Sequence, residues 1–490
     1  MPCTTLLAGK MATIDGSTYA ARNEDAGGLH FDPKKMVVVL PKDQPTTYRS
    51  VLSGVEIFLP DEPMRYTAMP NAIPDEGIWG AAGVNEENIS MTATETITSN
   101  PRVLGADPLV VAKRDENGGF EKVGGIGEED MVTLVLPYIH SAREGVLRLG
   151  ALLEDYGTYE MNGIAFQDQD EVWWLESIGG HHWIAKRVPD DEYVVMPNQL
   201  GIDSFDLEDA YGAAKSHLCC RSLRSFIEEN HLNPSLDGSL NPRDAFGSHS
   251  DADHVYNTPR AWFMQRYFNP HGNVWDGEGA DVKPCSDDIP WSRKPEKKIS
   301  PEDVKYILSS TYQGTPYDIY GRGEEAGKLR PIGINRNNFL SLIQYRLELP
   351  KKIQAVEWVA FGCNAFNAFV PLYTQVKEIP AYLSGTGAEV TTESFYWANR
   401  IIAALCDGAY AQTKALVERY QAKVTAEGRS LLLKYDVMYL KAEGKEREGL
   451  LERANEEIVA MVKGHTQTLL SDVLLEASLQ MKDRFLRSDA

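Results

Sequence analysis

Cys3-Thr4-Thr5-Leu6-Leu7 and Asp15-Gly16-Ser17-Thr18-Tyr19-Ala20-Ala21-Arg22-Asn23-Glu24-Asp25 set two short apolar runs on either side of a turn. Residues 3–9 and 18–23 are short, largely apolar runs of strand length. The Asp-Gly between them is a strong turn signal, so the pair reads as a β-hairpin. One residue of it carries unusual chemistry. If Met1 and Pro2 are removed, Cys3 holds both a thiol and a free α-amine. An α-amine titrates near pH ~8, close enough to neutrality to act as a general base. A thiol beside its own base is an activated nucleophile. Arg22 and Asp25 close the second strand and can fold back toward the first. A guanidinium near a thiol favours the thiolate, and a carboxylate can orient the ammonium group. On spacing alone the competing reading is stronger: Cys3 as a small buried residue, with Arg22 and Asp25 as an ion pair at a turn.

Beyond the hairpin, 35–40 is a strand stopped by Pro41, and two more strands, 78–82 and 89–94, flank Gly83-Val84-Asn85-Glu86-Glu87-Asn88. Residues 98–130 read as loops around one short helix. From Asp130 to Tyr156, apolar residues recur every three to four positions, as one helix requires. Strands at 162–167, 171–177, 181–188 and 192–196 suggest a meander. A helix is predicted over 208–229, and another over 301–310, where Ser300-Pro301-Glu302-Asp303 supplies a cap, a first-turn proline and early acids. Strands resume at 339–346, 353–361 and 368–372. From Thr392 to about residue 486 the pattern is helical, with breaks near Gly428 and Gly444.

The 490 residues, 43% hydrophobic and 24% charged, suffice for a large core in an ordinary globular protein. A formal charge of −22 argues against nucleic acid and anionic membranes as partners, because both need a basic face. Residues 1–12 lack the pattern of a secretory signal, and no window approaches the ~18 consecutive apolar residues of a membrane span. Six cysteines, sparse and irregular, fit reduced thiols. A cytoplasmic location is therefore expected.

Several strings are better read as structure than as sites. His181-His182 on a strand would point to opposite faces and could not chelate together. Cys219-Cys220 falls in the helix predicted there and reads as packing. Gly321-Arg322-Gly323-Glu324-Glu325-Ala326-Gly327-Lys328-Leu329 lacks phosphate-loop spacing, and Asp251-Ala252-Asp253-His254 lacks the register of a cation loop. Trp173-Trp174 alternates across a strand, which favours core. The apolar stripe with Leu450, Leu451, Ile458 and Met461 is helix packing, on the sheets or between subunits.

Taken together, Cys3-Thr4-Thr5, Asp15-Gly16-Ser17-Thr18 and Ala21-Arg22-Asn23-Glu24-Asp25 closely resemble the opening of the cysteine N-terminal-nucleophile (Ntn) hydrolase dipeptidases, the dipeptidase A type. The resemblance continues through Gly83-Val84-Asn85-Glu86, Gly179-Gly180-His181-His182-Trp183, Asn198-Gln199, Pro259-Arg260-Ala261-Trp262, Arg330-Pro331-Ile332-Gly333-Ile334-Asn335-Arg336 and Phe369-Val370-Pro371-Leu372-Tyr373. It covers about residues 3–373, and the helical C-terminal part is also similar. That family is similar to penicillin V acylases and bile-salt hydrolases.

The resemblance implies an α+β fold, a four-layer αββα sandwich over 3–385, with a helical C-terminal region at 386–490 and a propeptide at 1–2. It implies Cys3 as nucleophile and base, Arg22 and Asp25 as the pair that contacts it, Asn198 as an oxyanion-hole donor, and Arg260 as support for the network. The expected activity is dipeptide hydrolysis through a thioester, with no cofactor and no metal, by a homo-oligomer. The Pro2–Cys3 bond must then be cut, because an amide nitrogen is no base. One position departs from the acylase pattern. Their second oxyanion asparagine falls at or near Glu95, which cannot donate when ionised. Glu95 is the candidate partner for a dipeptide's ammonium group; a solvated strand-end acid is the competing reading. Two functional alternatives stay open: an acylase on N-acyl amides, and a non-catalytic scaffold of the same fold. A metallopeptidase is a third, distinguishable by its response to chelator and iodoacetamide.

Overall fold

The computed structural model describes residues 3–28, 30–73 and 77–483; the propeptide expected at 1–2 lies outside them, as does the end of the helix expected to run to about 486. The chain is a mixed α+β structure organised by two antiparallel sheets. The seven-stranded sheet runs, edge to edge, Ser292–Arg293, Tyr193–Met196, Cys3–Ala8, Tyr19–Asp25, Asn337–Tyr345, Ala355–Phe361 and Val370–Tyr373. The six-stranded sheet runs His217–Cys219, His182–Arg187, Val172–Ile178, Asn162–Gln167, Ser90–Thr96 and Ala82–Val84. The opening hairpin forms as its sequence predicts, with Cys3 opposite Glu24 and Thr5 opposite Arg22.

Both faces of the seven-stranded sheet are buried, and the two-residue period of a strand sorts its side chains between them. Leu6, Ala8, Tyr19, Ala21, Tyr193 and Val195 join an apolar core shared with the C-terminal helices. Leu7, Ala20, Val194 and Met196 join the core of the six-stranded sheet, with Met91 and Ala93. Strands Cys3–Ala8 and Tyr19–Asp25 lie against Ser90–Thr96 across that second interface. By the same alternation Cys3, Thr5, Arg22 and Glu24 share the face turned to the six-stranded sheet, and Thr4 shares the other.

Helices cover the outer sides. Glu128–Val135 packs on Ser90–Thr96, and Ala142–Tyr156 packs on the three strands from Asn162 to Arg187. On the opposite side Phe395–Gly408 contacts Ala355–Phe361, and the long helices Tyr410–Lys441 and Leu450–Leu479 contact Val370–Tyr373 and each other.

Four local readings differ from the sequence expectation. The helix read across 130–156 is two, because Pro137 has no N–H to continue the ladder; Ser141 caps the second by accepting from Glu144 N. The region 208–229 is a short helix Leu207–Tyr211, a strand His217–Cys219 and a short helix Leu223–Glu229. Cys219 therefore sits in a strand edge-paired with Ile184, not in a helix. The fourth strand of the expected meander, Tyr193–Met196, leaves that sheet and pairs with Cys3–Ala8 instead. Gly428 does not break its helix: it lies inside Tyr410–Lys441, where a Cβ would meet Pro371 at 3.0 Å. The glycine lets the helix approach the sheet edge closely. The break near Gly444 is real.

Candidate active site

Cys3 opens its strand and is fully buried. Two contacts define its surroundings. Its backbone nitrogen donates to Asn198 Oδ1 at 3.2 Å, and its Sγ accepts from Arg22 Nη2 at 2.9 Å. Asn198 is brought there by the crossing strand Tyr193–Met196, which ends two residues earlier. Arg22 is brought there by the hairpin register, which places it across from Thr5 on the same face as Cys3.

Arg22 is itself held in a buried network. The same Nη2 donates to Glu128 Oε1 at 2.6 Å, while Nη1 reaches Ala81 O at 3.4 Å and Glu24 Oε2 at 3.5 Å. Lys34 Nζ pairs with Glu24 Oε1 at 2.8 Å. All four charged side chains are buried. Burial opposes ionisation of Glu128, but Arg22 and Lys34 are among the charges that bring its carboxyl below the ordinary value. Burial also pushes the Cys3 thiol well up, and the Arg22 guanidinium pulls it down by less. Burial thus outweighs the Arg22 guanidinium and favours the protonated thiol.

Arg260 organises the other side. It lies in helix Thr258–Phe268, and all five of its N–H groups are used. Nη1 donates to Cys3 O and to Thr4 Oγ1 (2.8 Å), Nη2 to Asn198 Oδ1 (2.8 Å) and Asn257 Oδ1 (2.6 Å), and Nε to Tyr256 O (2.9 Å). Burial, reinforced by Arg330, lowers its pKa to about 10, still cationic near neutrality. Asn257 in turn donates to Asn198 O at 3.1 Å and to Asp253 Oδ1 at 2.5 Å. The string 251–254 thus anchors this helix, with the other Asp253 oxygen held by Ser248 and Ser250.

The six residues singled out from sequence do not all sit alike. Cys3, Arg22, Asn198 and Arg260 are joined by direct hydrogen bonds. Asp25 lies at the strand end beside a register shift in Asn337–Tyr345, where Arg330 Nη2 and Asn337 Nδ2 donate to its carboxylate. Glu95 is not a solvated strand-end acid. It is fully buried, accepts from Thr5 Oγ1 at 2.6 Å on one oxygen, and faces Asn198 Nδ2 at 3.4 Å on the other. Burial raises its carboxyl to about 8, with Arg22 opposing.

Sequence reasoning missed Glu24, Lys34, Glu128 and Asn257. Glu24 was legible in principle, since it lies two residues from Arg22 on one strand. Glu128 hid in an acidic, glycine-rich stretch, and Lys34 and Asn257 had no local signal. His181 and His182 behave differently from expectation. Rather than diverging, both rings meet one carboxylate, with Nδ1 atoms 2.9 Å and 2.7 Å from the oxygens of Asp107. Among the described residues no group of three or more His, Cys, Asp or Glu is arranged to hold a metal ion. A cavity of about 740 Å³ lies between the sheet and helix Tyr410–Lys441, lined by Lys305, Trp358, Phe369 and Tyr410 among others. Its lining shares no residue with the Cys3 cluster.

The family model of peptidase family C69 matches residues 2–423, and the chain belongs to that family. A protein named dipeptidase from Bifidobacterium longum (strain NCC 2705) is 52% identical, covering 100% of both chains. A probable dipeptidase A from Streptococcus pyogenes serotype M1 is 51% identical over 99% of this chain and 98% of its own. The dipeptidase A of Lactobacillus helveticus is 43% identical over 97% and 96%.

Proposed function

We propose that this chain is a dipeptidase in which Cys3, exposed as the N-terminal residue by loss of Met1 and Pro2, is both nucleophile and base. The observation that carries the reading is that one residue presents its Sγ to Arg22 and its nitrogen to Asn198 Oδ1, at 2.9 and 3.2 Å. The buried, protonated thiol supplies the reason a base is needed. The α-amine takes the thiol proton, and Sγ adds to the peptide carbonyl. The oxyanion is held by Asn198 Nδ2 and backbone N–H groups. The protonated amine gives its proton to the leaving amine as the C–N bond breaks, leaving a thioester. Water, deprotonated by the same amine, then cleaves the thioester and releases the second product. Asn198 Oδ1 and Arg260 orient the amine and the strand end, and Asp25 with Arg330 braces the hairpin. Each oxyanion donor of this kind is worth ~100- to 1000-fold in rate.

The names of the relatives favour dipeptides over N-acyl amides as substrates. We read the packing of helices on the outer side of each sheet as the four-layer αββα sandwich of the Ntn hydrolases. The boundary at 385/386 divides sheet-rich from helical chain, although one apolar core spans it. Leu433, Val437 and Leu440, exposed at helical spacing on Tyr410–Lys441, support association between copies. Six free thiols support a reducing, cytoplasmic setting. Among the described residues no helix is long and apolar enough to cross a membrane.

The test is Cys3→Ala on a panel of dipeptides, penicillin V and conjugated bile acids, with N-terminal sequencing of the wild type. We expect dipeptide hydrolysis to be lost, and active wild type to begin at Cys3. It should resist chelator and be inactivated by iodoacetamide. Full activity in Cys3→Ala, or in protein whose intact mass retains Met1 and Pro2, overturns the proposal.

A further inference from the structure

The cavity of about 740 Å³ beside helix Tyr410–Lys441 plays no part in the dipeptidase reading, yet its walls have a definite chemistry. Trp358, Phe366, Phe369 and Val417 give it a buried apolar lining, and Tyr306 and Tyr410 add two further rings. Five charged residues share the wall, and four of them pair with one another. Glu302 is held by both Nε and Nη2 of Arg429, at 2.6 and 2.8 Å, and Glu418 lies 3.9 Å from Lys414. These four sit at the opening, with 39–63% of each side chain exposed. The fifth is Lys305, only 9% exposed. Its ammonium has three N–H groups. One goes to Ser309 Oγ at 2.8 Å and one to Asn364 O at 2.6 Å. Among the described residues neither a third acceptor nor a carboxylate meets it.

Two ion pairs and one buried cation leave these walls with a single net positive charge, in a chain whose formal charge is −22. A buried ammonium without a counter-ion is costly, and an anion that enters beside it offsets that cost. A space of this size, apolar and aromatic with a few convergent polar groups, has the form of a small-molecule site. We propose that the cavity is a second ligand site, for a monocarboxylate with an aromatic body, whose carboxylate is received by Lys305. Trp358, Phe366 and Phe369 pack against the aromatic part. Lys305 Nζ, steadied by Ser309 and Asn364, donates its remaining N–H to a carboxylate oxygen as a charge-assisted hydrogen bond. The same walls disfavour dipeptides and free amino acids. Those are zwitterions, and their ammonium would be buried where both glutamates are already paired. The site is therefore separate from the Cys3 cluster, and it does not depend on the dipeptidase reading.

Affinity should also follow pH. Burial lowers the Lys305 ammonium to about 7, with Cys363 opposing. The other ionisable groups on these walls are Glu302 and Tyr306 on its own helix, and Tyr410, Lys414, Glu418 and Arg429 on the long one. A carboxylate holds the ammonium and not the neutral amine, so binding weakens as pH rises above about 7.

The experiment is calorimetric titration of the full chain with 4-phenylbutyrate, beside 4-phenylbutylamine and L-phenylalanine, in wild type and in Cys3→Ala. We expect one 4-phenylbutyrate per chain in both proteins, and binding of the amine and the amino acid at least about tenfold weaker. Lys305→Met keeps an apolar stem and drops the charge. It should weaken 4-phenylbutyrate by about 10- to 100-fold and remove the pH dependence. Ala422→Trp adds bulk to the cavity from an exposed helix position, so it tests the location even where Lys305→Met fails to fold; it should abolish binding. Failure of 4-phenylbutyrate to bind, equal binding of the amine, or undiminished binding in Lys305→Met or Ala422→Trp overturns the proposal. So does sedimentation showing that Ala422→Trp breaks an assembly formed by the wild type, because a second copy then fills the cavity.

Discussion

Around Cys3, the ionisable side chains Arg22, Glu24, Lys34, Glu128 and Glu95 are shut away from solvent together. Between residues 395 and 479 the interior is mostly aliphatic and aromatic: Ile402, Val424, Leu432, Ile458, Val462, Leu469 and Val473 are buried, and Asp436 is an exception held by Arg346 at 2.6 Å. Buried charge is expensive, and a buried ion pair gives little net stability over an apolar pair of the same shape. Apolar burial is the cheap way to hold a fold, at roughly 25 cal/mol per Å². The helices therefore provide stability without chemistry. The Cys3 end instead buries a cluster of ionisable groups around one thiol, at a cost in stability.

The sharpest break of this contrast is at Arg22. Arg22→Met should lower kcat/KM by about 100-fold or more and destabilise by about 3–5 kcal/mol, because Glu24 and Glu128 lose a partner. Arg22→Lys keeps the charge but not the fork that reaches both Sγ and Glu128, so it should recover much of the stability and little of the rate. Steady-state kinetics beside urea denaturation separates the two. Equal recovery of both would mean that the network is only structural.

Ile458→Ala asks the opposite question. It should cost about 2–4 kcal/mol, seen as a shifted urea midpoint, and leave kcat/KM per folded molecule within about twofold. A large kinetic effect would show that the helices tune the site. Glu357→Gln gives the smallest effect. Burial raises the Glu357 carboxyl to about 7, so the folded protein holds this proton more tightly than the unfolded chain. The stability tied to it is complete below the ordinary carboxyl range and is lost as pH rises toward 7. The glutamine variant should therefore match wild type near pH ~4 and gain about 2–3 kcal/mol relative to it by pH ~7 and above. A constant difference across that range would remove Glu357 as the titrating group.

The same contrast explains what could be read from residues alone. The helices announced themselves through apolar spacing, because packing one face is a local property of sequence. Pro137 and Gly428 misled only because one local signal had to be weighed against neighbours that the sequence does not place. The hairpin was legible through Asp15-Gly16 and two-residue alternation. The candidate site was legible in part: Cys3 and Arg22 meet through that hairpin, but Asn198 and Arg260 were picked out only by resemblance. Glu128 escaped because its meeting with Arg22 depends on how its helix and the second sheet stack on the first, Lys34 because its pairing with Glu24 brings a residue between strands back onto the hairpin, and Asn257 because it depends on where a helix docks. The segment 208–229 failed for a related reason. The edge pairing of His217–Cys219 with Ile184 overrode its helical spacing.

The position of Cys3–Ala8 inside its sheet has a consequence for timing. One neighbour, Tyr19–Asp25, is made almost at once; the other, Tyr193–Met196, follows nearly two hundred residues later, and Asn337–Tyr345 must arrive before Tyr19–Asp25 is flanked in turn. Cys3–Ala8 is thus made well before the strands that flank its hairpin. Asn198 and Arg260 cannot both reach Cys3 until more than half of the polypeptide exists. A nascent chain shorter than that therefore holds Cys3 without the Asn198 and Arg260 contacts of the folded protein.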